Sequence, residues 1–220
     1  MGTELTTQEG GVPALRNTPA LAGFDASDFA SALPRLYKGE GQSAFVQDGL
    51  VPKGAIFVAA GKDDPAPEVI GDTVTVYVLD AWKDLQLQDA DGELQRWTFG
   101  DPEAPEEART AYHFTVAIPE VDADVPVKLT MAKTSAKTGQ RIAFRLFREA
   151  SAGRPIYGAP FELSVLERKN TEKRYQWFVW KEKQVEATPE GLAVAEALAP
   201  MATSRQSNDI DRSAGTEPAI

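Results

Sequence analysis

The sequence predicts a mainly β protein: a small barrel carrying one amphipathic helix, followed by a short C-terminal helix, with disordered ends. Three observations predict it. At least seven short runs are rich in β-branched and aromatic residues, several alternating with polar ones, and turns rich in Gly, Pro and Asp separate them. The segment after Ser135 keeps a helical apolar period through Ala150. Both ends lack any sustained period. A chain of 220 residues with 42% hydrophobic content can bury one good core, so we expect a single domain over 33–186. An arm (1–32) precedes it, and a helix (187–200) and a disordered tail (201–220) follow.

Taken in order, Leu33 begins the ordered part. Gly39-Glu40-Gly41-Gln42-Ser43-Ala44 matches a dinucleotide fingerprint by letter, but Pro34 disturbs the strand that should precede it, and Asp48-Gly49 with Pro52 stops the helix that should follow. It is a Gly-rich loop. Ala55–Ala59 has the composition of a buried strand, and Thr73–Leu79 alternates Val with Thr and Tyr. Gly61-Lys62 is no phosphate loop, because Asp63 stands where Ser or Thr would reach a metal. Leu85–Gln88 and Glu93–Phe99 flank Asp91-Gly92, which suits the positive φ of a tight hairpin. An EF-hand is excluded there by the wrong spacing of Gly and Glu after Asp89. Tyr112–Ile118, Val127–Met131, Phe161–Glu167 and Lys173–Lys181 complete the strands, and Ser135 is the expected N-cap of the helix. Thr188-Pro189-Glu190 starts the last helix, which Pro200 should end.

Function is argued from charge. The net charge is −10, yet 126–185 holds thirteen Lys and Arg against five Asp and Glu, so this stretch carries +8 and the remainder −18. Blocks of this kind place opposite signs on different surfaces. On the helix, Lys137, Arg141, Arg145 and Arg148 fall within roughly 80° of one another at about 100° per residue, and Phe144 lies beside them. Ile142, Ala143, Leu146, Phe147 and Ala150 make the opposite, apolar side. In the last strand Tyr175, Trp177 and Val179 point one way and Phe178 and Trp180 the other. The polar neighbours Arg174 and Gln176 share the Trp180 side, so Trp180 is the expected stacking platform and Trp177 the core residue. A basic face with aromatic platforms suits single-stranded nucleic acid, DNA or RNA.

Other chemistries find little support. With no Cys and a single His, disulfides, thiolate metal sites and thiol nucleophiles are excluded, and a triad would rest on His113 alone. The carboxylates Asp80, Asp84, Asp89 and Asp91 suit solvated strand and turn positions. We therefore expect no enzyme, no cofactor and no metal. With no apolar run long enough to span a bilayer and no leader pattern at Met1–Gly11, a cytoplasmic protein is expected.

From about Leu33 to Glu186 the chain resembles phage-encoded single-stranded DNA-binding proteins and similar phage proteins. The likeness sits in Leu33-Pro34-Arg35-Leu36, in Lys133-Thr134-Ser135, and in Phe161-Glu162-Leu163-Ser164 followed by Arg168-Lys169-Asn170 and Tyr175. It implies an OB-like barrel, DNA contacts at Lys133, Arg141, Arg168, Lys169 and Tyr175, and a role in phage replication or recombination beside other proteins of those processes. The residue pattern adds Lys137, Arg145, Arg148, Phe144, Lys173, Arg174 and Trp180 to that set. The competing expectation is a phage structural or assembly protein, a homo-oligomer included, whose basic face meets an acidic protein surface.

Overall fold

The computed structural model describes residues 33–61, 64–89, 93–121, 125–171 and 175–203. The expected arm, the turn residues Asp91 and Gly92, Lys173, Arg174 and the tail from 204 onward lie outside the described residues. The strands are β1 (Arg35–Lys38), β2 (Ile56–Ala59), β3 (Glu68–Gly71), β4 (Thr73–Gln88), β5 (Leu94–Thr98), β6 (Arg109–Ala117), β7 (Val127–Met131), β8 (Phe161–Asn170) and β9 (Tyr175–Gln184). The helices are α1 (Ala44–Gln47), α2 (Ala136–Ser151) and α3 (Pro189–Thr203).

With 42% strand against 25% helix the protein is mainly β, and its sheet curls into a half-barrel. The order is β3-β2-β1-β7-β6-β4-β8-β9, with β5 paired to the end of β4. Every pairing is antiparallel except β1 with β7. β4 holds the sheet together. Its first four residues pair with β8, the stretch from Tyr77 onward pairs with β6, and its last five pair with β5. A register shift between Val78 and Asp80 marks the change of partner, as bulges do where a strand bends.

The concave face holds the main core: Leu36, Ile56, Val76, Phe114, Leu129, Phe161, Leu163 and Trp180, closed by Ile142 and Leu146 of α2. Gly139 lets the helix approach, since a Cβ there would stand 2.7 Å from Tyr112 Cβ and 3.1 Å from Met131 Cβ. α3 covers part of the convex face, where Ala195, Leu198 and Ala202 meet Tyr77, Leu79 and Ala117. α1 and the loop after it cover Phe57 and Ala59 with Phe45 and Val51.

The free edge of β9 is not left bare. Thr138 Oγ1 donates to the Trp180 carbonyl at 2.7 Å and Ser135 Oγ accepts the Trp180 N–H at 3.4 Å, so two side chains stand in for a missing strand. Ser135 holds the expected N-cap position of the helix, but its hydroxyl makes no cap bond, and a 3-10 turn at Lys133–Ser135 precedes the helix. Further along the same strand, Lys53 Nζ donates to Gln176 Oε1 at 2.7 Å and Gly54 abuts Phe178.

Two expectations are corrected. The region 39–44 leads into a short helix, α1, and α3 does not stop at Pro200 but runs to Thr203. Ala202 is fully buried against the sheet, and that packing outweighs the one backbone hydrogen bond a proline forfeits.

Lys38 lies largely buried beside the Glu40 carboxylate, and burial lowers its pKa from 10.5 to about 8. Across the window from about 8 to 10.5 the unfolded chain holds a proton the folded chain has released, so stability rises with pH there. Below it the cost of the buried charge is fully present. Lys38→Met removes that cost, so its stability advantage over the wild type should shrink by about 1–2 kcal/mol between about pH 7 and about pH 9.5. Thermal melts at both pH values check it. A constant difference would mean that Lys38 keeps its ordinary proton affinity.

Candidate nucleic-acid interface

The residues singled out from the sequence separate onto two surfaces. Thr138 and Arg141 of α2 lie along β9 at Trp180 and Glu182, and α2 closes the concave side of the sheet. Arg168 stands opposite Trp177 in the β8–β9 register, towards the hairpin tip. Residues paired in register share a face, so Leu166 with Val179, Arg168 with Trp177, Ser164 with Lys181 and Glu162 with Lys183 all lie on the side away from the core. The partners Val165 with Trp180 and Leu163 with Glu182 lie on the other.

Trp180 is therefore corrected. It is 3% exposed and belongs to the main core, which rules it out as an exposed platform. Its polar neighbour Gln176 is exposed, and its Oε1 accepts a hydrogen bond from Lys53, 123 positions away in the chain. Trp177 is half-buried on the outer side, with Lys181 and Lys183 beyond it exposed. Both lysines escaped the sequence-based set, since nothing in the alternation tells which face is covered.

On α2, Phe144 is 63% exposed, as the wheel predicts, but Phe147 is 68% exposed rather than buried. The buried stripe is narrow, running through Thr138, Gly139, Ile142 and Leu146. Arg141 is engaged: its Nε and NH2 donate to the two Glu182 oxygens at 2.6 and 2.7 Å. The hydrogen bonds it donates to Glu182 hold the Arg141 pKa above its ordinary value. Glu182 is pushed up by burial, and this is outweighed by its bonds to Arg141 and the backbone and by the charges of Arg141 and Arg145, so its pKa is lowered. Lys137 and Arg148 are exposed and Arg145 is half-buried; none of the three forms an ion pair among the described residues. Lys133, with φ of 50°, donates to Gln88 Oε1 at 2.7 Å, which takes it to the far end of β4.

At the hairpin, Arg168 is exposed and Lys169 pairs with Glu167 at 3.2 Å. Tyr175 opens β9. A groove of about 950 Å³ runs beside the hairpin, lined by Gln42, Lys53, Lys169, Asn170, Gln176 and Trp177 among others. It offers an indole wall, two ammonium groups, three amides and the Glu40 carboxylate, which Lys38 pairs, so a base could stack there with its phosphate at the lysines.

His113 sits in a buried network. Its Nε2 is 2.9 Å from Asp84 Oδ1 and its Nδ1 3.1 Å from Thr130 Oγ1. A neutral ring protonated on Nε2 donates to Asp84 and accepts from Thr130. Trp82 stacks on the ring at 5.1 Å. Hydroxyl, imidazole and carboxylate follow one another as in an acyl-transfer triad, but His113 and Thr130 are directly paired in mid-strand. The network ties β4, β6 and β7 together.

Among the described residues, no group of three or more acidic or His side chains could hold a metal ion, and no helix is long and apolar enough to cross a membrane. No family model, no curated protein and no solved structure matches the chain.

Proposed function

We propose that this chain binds single-stranded nucleic acid, DNA foremost, along the outer face of the β8–β9 ribbon. One observation carries the reading: the ribbon turns Trp177 and Val179 to the same outward side as Arg168, Lys181 and Lys183. An aromatic surface edged by exposed cations suits unpaired bases, which can lie flat on an indole while their phosphates meet the lysines. The resemblance to phage single-stranded DNA-binding proteins adds the setting, protection of exposed strands during phage replication or recombination. The groove beside Trp177 reaches round the end of the ribbon to Lys53 and Lys169 on its other side.

Fluorescence anisotropy with labelled oligonucleotides tests it. Trp177→Ala should weaken single-strand binding by about 1–3 kcal/mol, the ordinary value of a base–aromatic stack, while the protein still melts cooperatively. Lys181→Ala combined with Lys183→Ala should lower the salt slope by roughly 1.4, two phosphate contacts at about 0.7 each. Arg141→Ala should leave that slope unchanged, because Arg141 already spends its charge on Glu182. A slope that responds to Arg141 and ignores both lysines would move the interface to α2 and sink the ribbon assignment.

A second reading, a phage assembly protein with a protein-binding basic face, draws on the exposed Phe144 and Phe147 among the α2 arginines. It predicts no oligonucleotide affinity at all.

A further inference from the structure

Phe144 and Phe147 are more exposed than any other large apolar side chain among the described residues. They stand one helical turn apart with Arg148 beside them, while Arg145 is turned towards Glu182 on the other flank of the helix. Phe147 also forms one wall of a groove of about 320 Å³ between α2 and β4, whose floor and far side include Trp82, Lys83 and Ile156. Lys83 carries the surface onward, since its Nζ lies 3.3 Å from the centre of the Phe99 ring. Phe99 is 48% exposed and leads into the loop with Asp101, Glu103, Glu106 and Glu107. The three glutamates are exposed and form no ion pair among the described residues. A basic, aromatic helix face and an acidic, aromatic loop are thus linked through Lys83, which lines the groove and sits over the Phe99 ring.

We propose that this surface is self-complementary and pairs two copies of the chain about a twofold axis, the α2 face of each meeting the β5–β6 loop of the other. A partner of one sign fits badly: a polyanion or an acidic protein drawn to Arg148 would also meet the exposed Glu103, Glu106 and Glu107 of the loop that Phe99 leads into. A second copy turned by half a revolution satisfies both halves at once, which is what an isologous interface requires. Phe144, Phe147 and Phe99 supply the apolar contact, because exposed ion pairs alone add little. The charges fix the register and the choice of partner. The ribbon face proposed to bind nucleic acid is separate from this surface, so the two proposals stand or fall independently.

Sedimentation of the nucleic-acid-free full chain tests it. A reversible dimer is expected at about 100 µM protein and roughly 50 mM salt, with its dissociation constant rising at least about tenfold at roughly 500 mM salt. Arg148→Glu should be monomeric under the same conditions, as should Glu106→Arg with Glu107→Arg. Mixed in equal amounts, the two variants should form a heterodimer, each helix now matching the other's loop. Phe144→Ser with Phe147→Ser should also be monomeric, without any change of charge. A wild type that stays monomeric, a dimer indifferent to these changes, or charge variants that remain apart on mixing would each overturn the proposal.

Discussion

Trp180→Ala destabilises the protein by about 3–5 kcal/mol, the range for truncating a large core aromatic. The indole is 3% exposed and packs in the cluster that holds Phe161, Leu163, Ile142 and Leu146, so its removal empties the seam between the β8–β9 ribbon and α2. The two bonds that seal the strand edge, from Thr138 and to Ser135, engage the Trp180 backbone and survive the change, so the loss measures packing rather than hydrogen bonding. A thermal melt against Trp177→Ala separates the two tryptophans. The first variant should lose melting temperature and keep oligonucleotide affinity wherever it is folded; the second should do the reverse. If Trp180→Ala melts like the wild type and binds poorly, the ribbon faces the other way from the structure described here.

Alternation placed Trp177 and Trp180 on opposite faces, and the β8–β9 register agrees. What alternation could not supply was which face the core takes. That choice is made by residues distant in the chain: Lys53 and Gly54 close over Gln176 and Phe178, and α2 closes over Trp180. Gln176 does face solvent, but it is also a hydrogen-bond partner of Lys53, and its exposure did not make the Trp180 side the open one. The helix was legible by period, yet Phe147 was misplaced because Gly139 sits so close to Tyr112 and Met131 that the buried stripe centres on Gly139, Ile142 and Leu146. β1 and β3 went unseen for a plainer reason. At four residues each they carry little pattern of their own, and β1 owes its place to pairing with β2 and with β7, over ninety positions later in the chain.

The charge argument was half legible in the same sense. The +8 block does segregate, but it segregates twice, to the ribbon and to α2, and at Arg141 part of it neutralises Glu182. Sequence blocks report which segments are basic; only the fold reports which of those charges still face water. Lys181 and Lys183 do, and they became candidates only when the outer side of the ribbon was identified.

Gly191→Ala should destabilise the protein by about 3 kcal/mol or more, although alanine is the better helix former by about 1 kcal/mol. A Cβ at Gly191 would stand 2.2 Å from both Cζ and Oη of Tyr77, and Tyr77 is 1% exposed with no room to retreat. That ring also anchors the start of α3. The Tyr77 hydroxyl accepts the Thr188 N–H at 3.1 Å and lies 3.2 Å from Thr188 Oγ1, which in turn accepts the Gly191 N–H at 3.1 Å as the expected helix cap. Pushing the helix away to admit one methyl group breaks this chain of bonds and uncovers Leu79 and Ala117 beneath Leu198 and Ala202. The expected signature is a large fall in melting temperature that nearly vanishes when Gly191→Ala is introduced into a Tyr77→Leu background, where the colliding atoms are gone. A Gly191→Ala protein within about 0.5 kcal/mol of the wild type would show that α3 does not rest on Tyr77.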